Sequence, residues 1–157
     1  MSRKPVEYRK CSTLPYGQIR VKLLDVNCKP YRAHETDSGL DLRARVDGAI
    51  ALQPMWSATV PVGLAVELPA GYEGQIRPRS GLAKKGVIVA FGTVDNGYRG
   101  EIKATLINTS GGKIAIQPYE RIAQLVIAPV MIPNIQYVDD LPVTDRGDKG
   151  YGSTGRK

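Results

Sequence analysis

The chain has 157 residues, of which 42% are hydrophobic, and it carries a formal net charge of +7. This length suits one domain with a proper apolar core. The single histidine, His34, excludes a metal site built on several histidines, and the two cysteines exclude a disulfide framework.

The positive charge favours an anionic partner, such as a nucleotide, a nucleic acid or an acidic surface. Part of it lies near the N-terminus, at Arg3, Lys4, Arg9 and Lys10. The basic residues form no dense run with interleaved aromatics, so we do not expect nucleic acid as the partner. There is also no apolar signal segment and no run of about 18 apolar residues. We therefore expect a soluble, cytoplasmic protein with no membrane partner.

Alternating apolar residues predict short β-strands at 19–23, 58–68, 74–77, 87–91, 101–107, 113–116 and 122–130. Turn sequences separate them at 69–71, 95–97, 110–112 and 117–118. The only helical candidate is the single turn 80–85. This pattern predicts an all-β jelly-roll sandwich or barrel. We expect a polar, basic extension over 1–18, a β domain over 19–138 and a flexible tail over 139–157.

The segment after the predicted strand 74–77 has the features of an anion site. Arg79 offers a guanidinium, and the N–H groups of Ser80, Gly81 and Leu82 are expected to point outward from the helical turn. A serine N-cap beside an exposed arginine is also a common structural feature. By itself this segment therefore leaves both interpretations open.

Two further segments place polar side chains among apolar strands. Asp95 and Tyr98 lie three residues apart on a turn, where a solvated aspartate is the ordinary alternative to a functional one. Gln124 is expected to be buried in an otherwise apolar strand, and a buried amide requires a hydrogen-bonding partner.

The C-terminal residues from Arg146 onward can form a phosphate clamp. Arg146 supplies a planar fork for phosphate oxygens, the glycine-rich backbone and Ser153 supply donors, and Tyr151 supplies a ring on which a base can stack. The alternative is a solvated terminus. Residues 150–155 also match a dinucleotide-binding glycine pattern, but no helix can follow them so close to the end.

Five segments in this order resemble the motifs of the trimeric dUTPase (dUTP diphosphatase) family: 33–42 (AHETDSGLDL), 78–82 (PRSGL), 92–100 (GTVDNGYRG), 120–125 (ERIAQL) and 146–155 (RGDKGYGSTG). The resemblance implies a jelly-roll homotrimer with active sites shared between subunits. It also implies Mg²⁺-dependent hydrolysis of dUTP to dUMP and diphosphate, which keeps uracil out of DNA and supplies dUMP for thymidylate synthesis.

The resemblance assigns catalytic roles to Asp95, Gln124 and Arg146. Asp95 activates the water that attacks the α-phosphorus, Gln124 holds phosphate, and Arg146 reaches the γ-phosphate from the tail. Mg²⁺ is expected to bind through phosphate oxygens and waters without direct protein ligands. Asp41 supports this region indirectly, or else it is simply an ion-pair residue.

The remaining substrate contacts follow the same resemblance. Tyr98 packs against the deoxyribose and excludes a 2′-hydroxyl, while Tyr151 stacks on the uracil as the tail closes. The full set of expected substrate-binding residues is Arg79, Ser80, Gly81, Gly92, Thr93, Val94, Asp95, Tyr98, Lys103, Gln124, Arg146, Tyr151, Gly152 and Ser153.

The chain departs from the family pattern at a few positions. Ser38 replaces alanine, Tyr119 replaces glycine, Tyr151 replaces phenylalanine or histidine, and 89–91 (VAF) replaces a stretch with asparagine or glycine. Two alternatives stay open: a dCTP deaminase-like enzyme of the same fold, and a dUTPase-fold protein with an additional protein-binding regulatory role.

Overall fold

A computed structural model describes residues 17–148. Over this range the chain forms a 3-10 turn, Val26–Cys28, one short helix, α1 Ser80–Lys84, and eleven strands. The strands are β1 Arg20–Leu23, β2 Gly39–Arg43, β3 Ile50–Leu52, β4 Ser57–Pro61, β5 Leu64–Glu67, β6 Tyr72–Arg77, β7 Val87–Val89, β8 Gly92–Val94, β9 Lys103–Asn108, β10 Ile114–Ile116 and β11 Arg121–Pro129. The predictions of an all-β fold and of one helical turn near residue 80 are confirmed.

All strand pairs are antiparallel. The largest sheet has the order β2-β11-β6-β8, the next has the order β4-β9-β7, and β1-β5 and β10-β3 form two-stranded sheets. Because successive side chains of a strand point to opposite faces, one residue in two is buried along β9. Inward-facing residues of several sheets pack into one core that includes Leu42, Val60, Ile76, Leu106 and Leu125.

The strand predicted over 58–68 is two strands in two different sheets. β4 ends at Pro61 and pairs with β9, whereas β5 begins at Leu64 and pairs with β1. Between them Gly63 has a φ of 69°, and a Cβ at this position would lie 2.6 Å from the Cβ of Cys28. The prediction of one strand was wrong because apolar alternation continues through this break while the backbone changes direction.

Three strands were not predicted: β2, β3 and β8. The predicted strand 87–91 is shorter than expected, and the chain changes sheets after it. β7 pairs with β9, whereas β8 pairs with β6. This change of sheet places the turn that follows β8 beside the start of β9, and a cavity lies between them.

Tyr119 lies in the turn before β11 with a φ of 59°. This left-handed conformation favours glycine, which explains why a glycine is usual at this position in the resembling family. The Tyr119 side chain also makes a long-range contact: its hydroxyl donates to Oδ2 of Asp25 at 3.2 Å.

Candidate active site

The turn after β8 and the start of β9 enclose a cavity of about 280 Å³. β8 is held against β6 with Thr93 opposite Gln75, so its residues face this cavity in a fixed register. The cavity brings together every substrate-binding residue predicted between positions 92 and 103, namely Gly92, Thr93, Val94, Asp95, Tyr98 and Lys103, and adds Ile76, Glu101 and Ile102.

The turn that carries Asp95 is fixed by its own hydrogen bonds. The Tyr98 amide donates to the Asp95 carbonyl at 2.9 Å, and the Asn96 side chain donates to the Pro69 carbonyl at 3.2 Å. Asp95 is exposed, and no ion pair involves it among residues 17–148. Its carboxylate can therefore accept a hydrogen bond from a water in the cavity.

The second carboxylate of the cavity, Glu101, is occupied by protein donors. Arg45 donates to it from Nε at 2.8 Å and from Nη2 at 2.6 Å, and the Gly63 amide donates at 2.8 Å. The hydrogen bond from Arg45 lowers the pKa of Glu101, and the same pair raises the pKa of Arg45. Because Glu101 is occupied in this way, Asp95 is the carboxylate of the cavity that is available to water.

The lowered pKa of Glu101 predicts a loss of stability in acid. A carboxyl group whose pKa falls on folding stabilises the protein fully above its unfolded pKa, near 4.5, and this stabilisation disappears as the pH falls through the lower folded value. The free energy of unfolding should therefore decrease below about pH 4.5. Urea titrations of wild type and Glu101→Gln between pH 3 and 7 check this. Equal pH dependence in both proteins would contradict it.

A second cavity, of about 220 Å³, lies where β2, the start of α1 and β11 meet. Gln124 of β11 pairs with Asp41 of β2, and this register brings residues that are distant in sequence into one site. The cavity is lined by Ala33, Asp37, Asp41, Arg79, Ser80, Gly81, Arg121 and Gln124. It therefore contains all the phosphate-binding residues predicted before the tail.

Asp41 orients the arginines of this second cavity. Its carboxylate accepts from Arg79 Nε at 2.8 Å and from Arg121 Nη1 at 3.1 Å. Arg79 also donates from Nη1 to the Arg121 carbonyl at 3.0 Å. Since two of its nitrogens are held in this way, Arg79 presents Nη2 in a fixed orientation for an incoming anion. One of the two roles that the sequence left open for Asp41 was that of an ion-pair residue, and the structure shows two such ion pairs.

Gln124 is half-buried, not buried as the sequence predicted. Its Nε2 donates to the Pro78 carbonyl at 2.9 Å, which supplies the partner that the amide requires. Gly39 lies directly against it, and a Cβ at Gly39 would collide with Oε1 of Gln124. The glycine of the first motif therefore makes room for the glutamine of the fourth.

One expectation about the helical turn was wrong. The Leu82 amide does not point outward, because it donates to the Arg79 carbonyl at 3.1 Å. Arg79, and not Ser80, is the N-cap residue of α1, and it makes no side-chain cap. Of the three amides, this leaves those of Ser80 and Gly81, two residues that line the second cavity, as candidate donors to an anion.

Sequence reasoning missed Arg121, Tyr31, Arg45 and Glu101. Arg121 lines the second cavity, and its guanidinium carbon lies 5.4 Å from the centroid of the Tyr31 ring in a cation–π contact. Arg45 and Glu101 are 56 positions apart and form an ion pair across the fold. Arg121 could have been predicted as a site residue because it is a charged residue three positions before Gln124. No comparable pattern in the sequence indicated a role for Arg45.

The two cavities share no lining residue. Gln124 of β11 pairs with Arg77 of β6, and Val94 of β8 pairs with Gly74 of β6. The backbones of Gln124 and Asp95 are therefore two strands apart across the sheet and about four residues apart along it. Strand spacing and rise put this separation at about 16 Å. Arg146 is exposed in a turn over 145–148, while Tyr151, Gly152 and Ser153 lie outside the described residues.

Within residues 17–148, no three His, Cys, Asp or Glu side chains lie close enough together to hold a metal ion. None of the helical segments in this part of the chain has the length and apolar composition needed to span a bilayer.

The described chain combines an all-β fold, a cavity with a carboxylate and an aromatic ring, and a second cavity with oriented arginines, an arrangement suited to a phosphorylated ligand. The sequence model of the dUTPase family matches residues 28–155. The chain belongs to the dUTPase family.

Two relatives show how far the similarity extends. The chain is 49% identical over 139 residues to the deoxyuridine 5′-triphosphate nucleotidohydrolase of Hydrogenobaculum sp. (strain Y04AAS1), covering 87% of this chain and 96% of the relative. It is 43% identical over 152 residues to the enzyme of the same name from Neorickettsia sennetsu, covering 95% and 97%.

Solved structures agree with this assignment. The dUTPase of Staphylococcus bacteriophage 80alpha with dUpNHpp superimposes with a TM-score of 0.80 at 31% identity, covering 88% of this chain and 99% of that one. An Asp-to-Asn mutant dUTPase from phage phi11 of S. aureus, described with a structural Mg(II) ion, gives 0.72 at 26% identity, covering 80% and 99%.

Proposed function

We propose that this protein hydrolyses dUTP to dUMP and diphosphate, the activity named for its relatives. The observation that carries the proposal is the first cavity, where an exposed carboxylate, Asp95, lies beside an aromatic ring, Tyr98. In this role the enzyme keeps uracil out of DNA and supplies dUMP for thymidylate synthesis. A cytoplasmic location is part of the proposal, and the free thiol of Cys28 is compatible with a reducing compartment.

In the proposed hydrolysis of dUTP, Asp95 accepts a hydrogen bond from the attacking water. It takes up the proton of this water as the water adds to the α-phosphorus. Phosphoryl transfer depends mainly on positioning and charge neutralisation, so one well-placed carboxylate suffices. Thr93 and Val94 offer backbone groups to the uracil and sugar, with Gly92 and Lys103 beside them.

Arg79, Ser80, Gly81 and Gln124 bind the phosphates. The guanidinium of Arg79, oriented by Asp41, neutralises charge on the phosphate oxygens as the bond to the leaving group breaks. Because Asp41 is held by two guanidinium groups, it acts on the substrate through Arg79.

The active site is assembled from more than one copy of the chain, in a homotrimer. The separation of the two cavities supports this assembly, because a water held by Asp95 and the oxygens held by Arg79 must meet at one phosphate group. A closed ring of three copies can bring the first cavity of one subunit to the second cavity of the next.

Mg²⁺ fits a site of this composition when it arrives with the triphosphate. The described residues offer isolated carboxylates and no cage, and Mg²⁺ prefers phosphate oxygens and retained waters. The ion would neutralise phosphate charge, and no protein side chain is assigned as its direct ligand.

The tail, 139–157, completes the site by closing over bound nucleotide. Arg146 contacts the γ-phosphate and Tyr151 stacks on the uracil, with Gly152 and Ser153 in the same closing segment. Closure of this kind excludes water and orders the catalytic groups only when substrate is present.

Tyr98→Ala should reduce discrimination between dUTP and UTP, because the ring occupies the space that a 2′-hydroxyl needs. We expect the ratio to change by roughly 10–200-fold, the range known for one extra small group in a fitted pocket. The measurement is the ratio of kcat/KM for the two nucleotides. An unchanged ratio would move the sugar selectivity to another part of the site.

Diphosphate release from dUTP, UTP and the four standard dNTPs, with and without Mg²⁺, tests the proposed function. We expect Mg²⁺-dependent release from dUTP far above the other nucleotides. Conversion of dCTP without diphosphate release would instead identify a deaminase-like enzyme of this fold.

A further inference from the structure

The side chain of Tyr98 contacts two of the residues that follow it. Its hydroxyl donates to the backbone carbonyl of Glu101 at 3.1 Å. The hydroxyl end of the ring also lies against Gly100, where an added Cβ would overlap the hydroxyl oxygen and the adjoining ring carbon. The ring is 46% exposed, so packing against the core does not fix it.

Glu101, which supplies the accepting carbonyl, is itself fixed. Its carboxylate takes three hydrogen bonds, two from the guanidinium of Arg45 and one from the Gly63 amide. Gly63 is packed directly on the buried side chain of Cys28. A continuous chain of contacts therefore runs from the core through Gly63 and Glu101 to the ring of Tyr98.

We propose that Gly100 and the Arg45–Glu101 pair are positioning residues for sugar selection. They act through Tyr98 by holding its ring where it excludes a 2′-hydroxyl. The inference rests on the proposed function, because it assumes that Tyr98 contacts the sugar of dUTP. Arg45 and Gly100 line neither cavity, and the carboxylate of Glu101 is occupied by protein donors, so loss of these residues should alter selectivity more than turnover of dUTP.

The physical reason is that a ring excludes a hydroxyl only if it cannot move aside. A shift of about 1 Å would admit the oxygen of UTP, and a half-exposed tyrosine could make such a shift if Gly100 and Glu101 did not hold it. The bidentate Arg45–Glu101 contact fixes both the distance and the plane of the carboxylate. The backbone carbonyl of Glu101 is therefore fixed as well, and it fixes the ring through the hydrogen bond from the Tyr98 hydroxyl.

The test is a set of variants that keep the aromatic ring. Tyr98→Phe removes the hydroxyl, Arg45→Met removes the guanidinium, and Gly100→Ala adds the Cβ. Gly100 has an ordinary φ that alanine can adopt, so its substitution acts through the contact with Tyr98. Arg20→Met is the matched control, because it also breaks an arginine–glutamate pair, with Glu67, at a 69% exposed side chain outside the cavity.

We expect Tyr98→Phe to lower the dUTP/UTP ratio of kcat/KM by roughly three- to tenfold, the effect of one neutral hydrogen bond. Arg45→Met and Gly100→Ala should lower the ratio by a similar factor, because they displace the same ring. Because Tyr98→Phe and Arg45→Met disrupt the same chain of contacts, the double variant should be no worse than the stronger single one. Arg45→Lys should recover part of the ratio, and Arg20→Met should leave it unchanged.

Fully additive effects, or equal losses of kcat/KM for both nucleotides, would overturn the inference and assign these residues a structural role only. A crystal structure of Gly100→Ala supplies a second readout that does not depend on activity. A displaced Tyr98 ring supports the inference, and a ring in its original place contradicts it. Failure of the wild type to release diphosphate from dUTP would instead refute the proposed function.

Discussion

Truncation after Val143 is expected to leave a folded trimer that has lost nearly all dUTP turnover. The strands end at Pro129, so the truncated chain keeps every strand of the described fold. The removed segment contains Arg146 and Tyr151. An arginine that stabilises a phosphoryl-transfer transition state contributes roughly 10³–10⁵ in rate, and we expect a loss of that order.

Light scattering and turnover measured on the same sample check this expectation. Arg146→Ala alone should reproduce much of the loss, and Tyr151→Phe should cost little because stacking requires a ring and not a hydroxyl. Arg20→Ala, at an exposed arginine on β1, is the matched control and should keep full activity. A fully active truncated protein would contradict the role of the tail, and a monomer would show that it also supports assembly.

Asp95→Asn is expected to keep the fold and nucleotide binding while lowering kcat by about 10²–10⁴-fold, the usual contribution of a general base. Asparagine has the same shape but cannot accept the proton of the attacking water. Steady-state turnover together with binding of a non-hydrolysable dUTP analogue separates the two effects. Asp47→Asn, at another exposed aspartate, should be neutral. Activity of Asp95→Asn within threefold of wild type would remove Asp95 from this role.

The local features of the fold could be predicted from the sequence. The turn chemistry singled out Asp95 and Tyr98, and the segment near residue 80 was the single helical candidate, which α1 confirms. These features depend on residues that are close in sequence, so they can be predicted from the sequence alone. The other predicted residues of the first cavity followed from the resemblance to the dUTPase family. The break at Gly63 was missed because it depends on contact with Cys28, which is distant in sequence.

The contacts that organise the two cavities could not be predicted. Asp41 meets Gln124 only through the pairing of β2 with β11, and β2 itself was not recognised. Arg45 meets Glu101 across 56 positions, and nothing around Arg45 signals that contact. Long-range ion pairs depend on the register of strands, which apolar alternation alone does not specify.

We propose that in each active site one copy of the chain supplies Asp95 while another copy supplies Arg79. This proposal can be tested by mixing two inactive variants, Asp95→Asn and Arg79→Ala, through joint unfolding and reassembly at equal amounts. In a shared site, random assortment in a closed trimer leaves about a quarter of the sites with both native residues. We therefore predict that dUTP turnover recovers to about a quarter of the wild-type value. If the mixed protein stays as inactive as its two parents while wild type treated in the same way regains its activity, both residues act within one chain and the account is wrong.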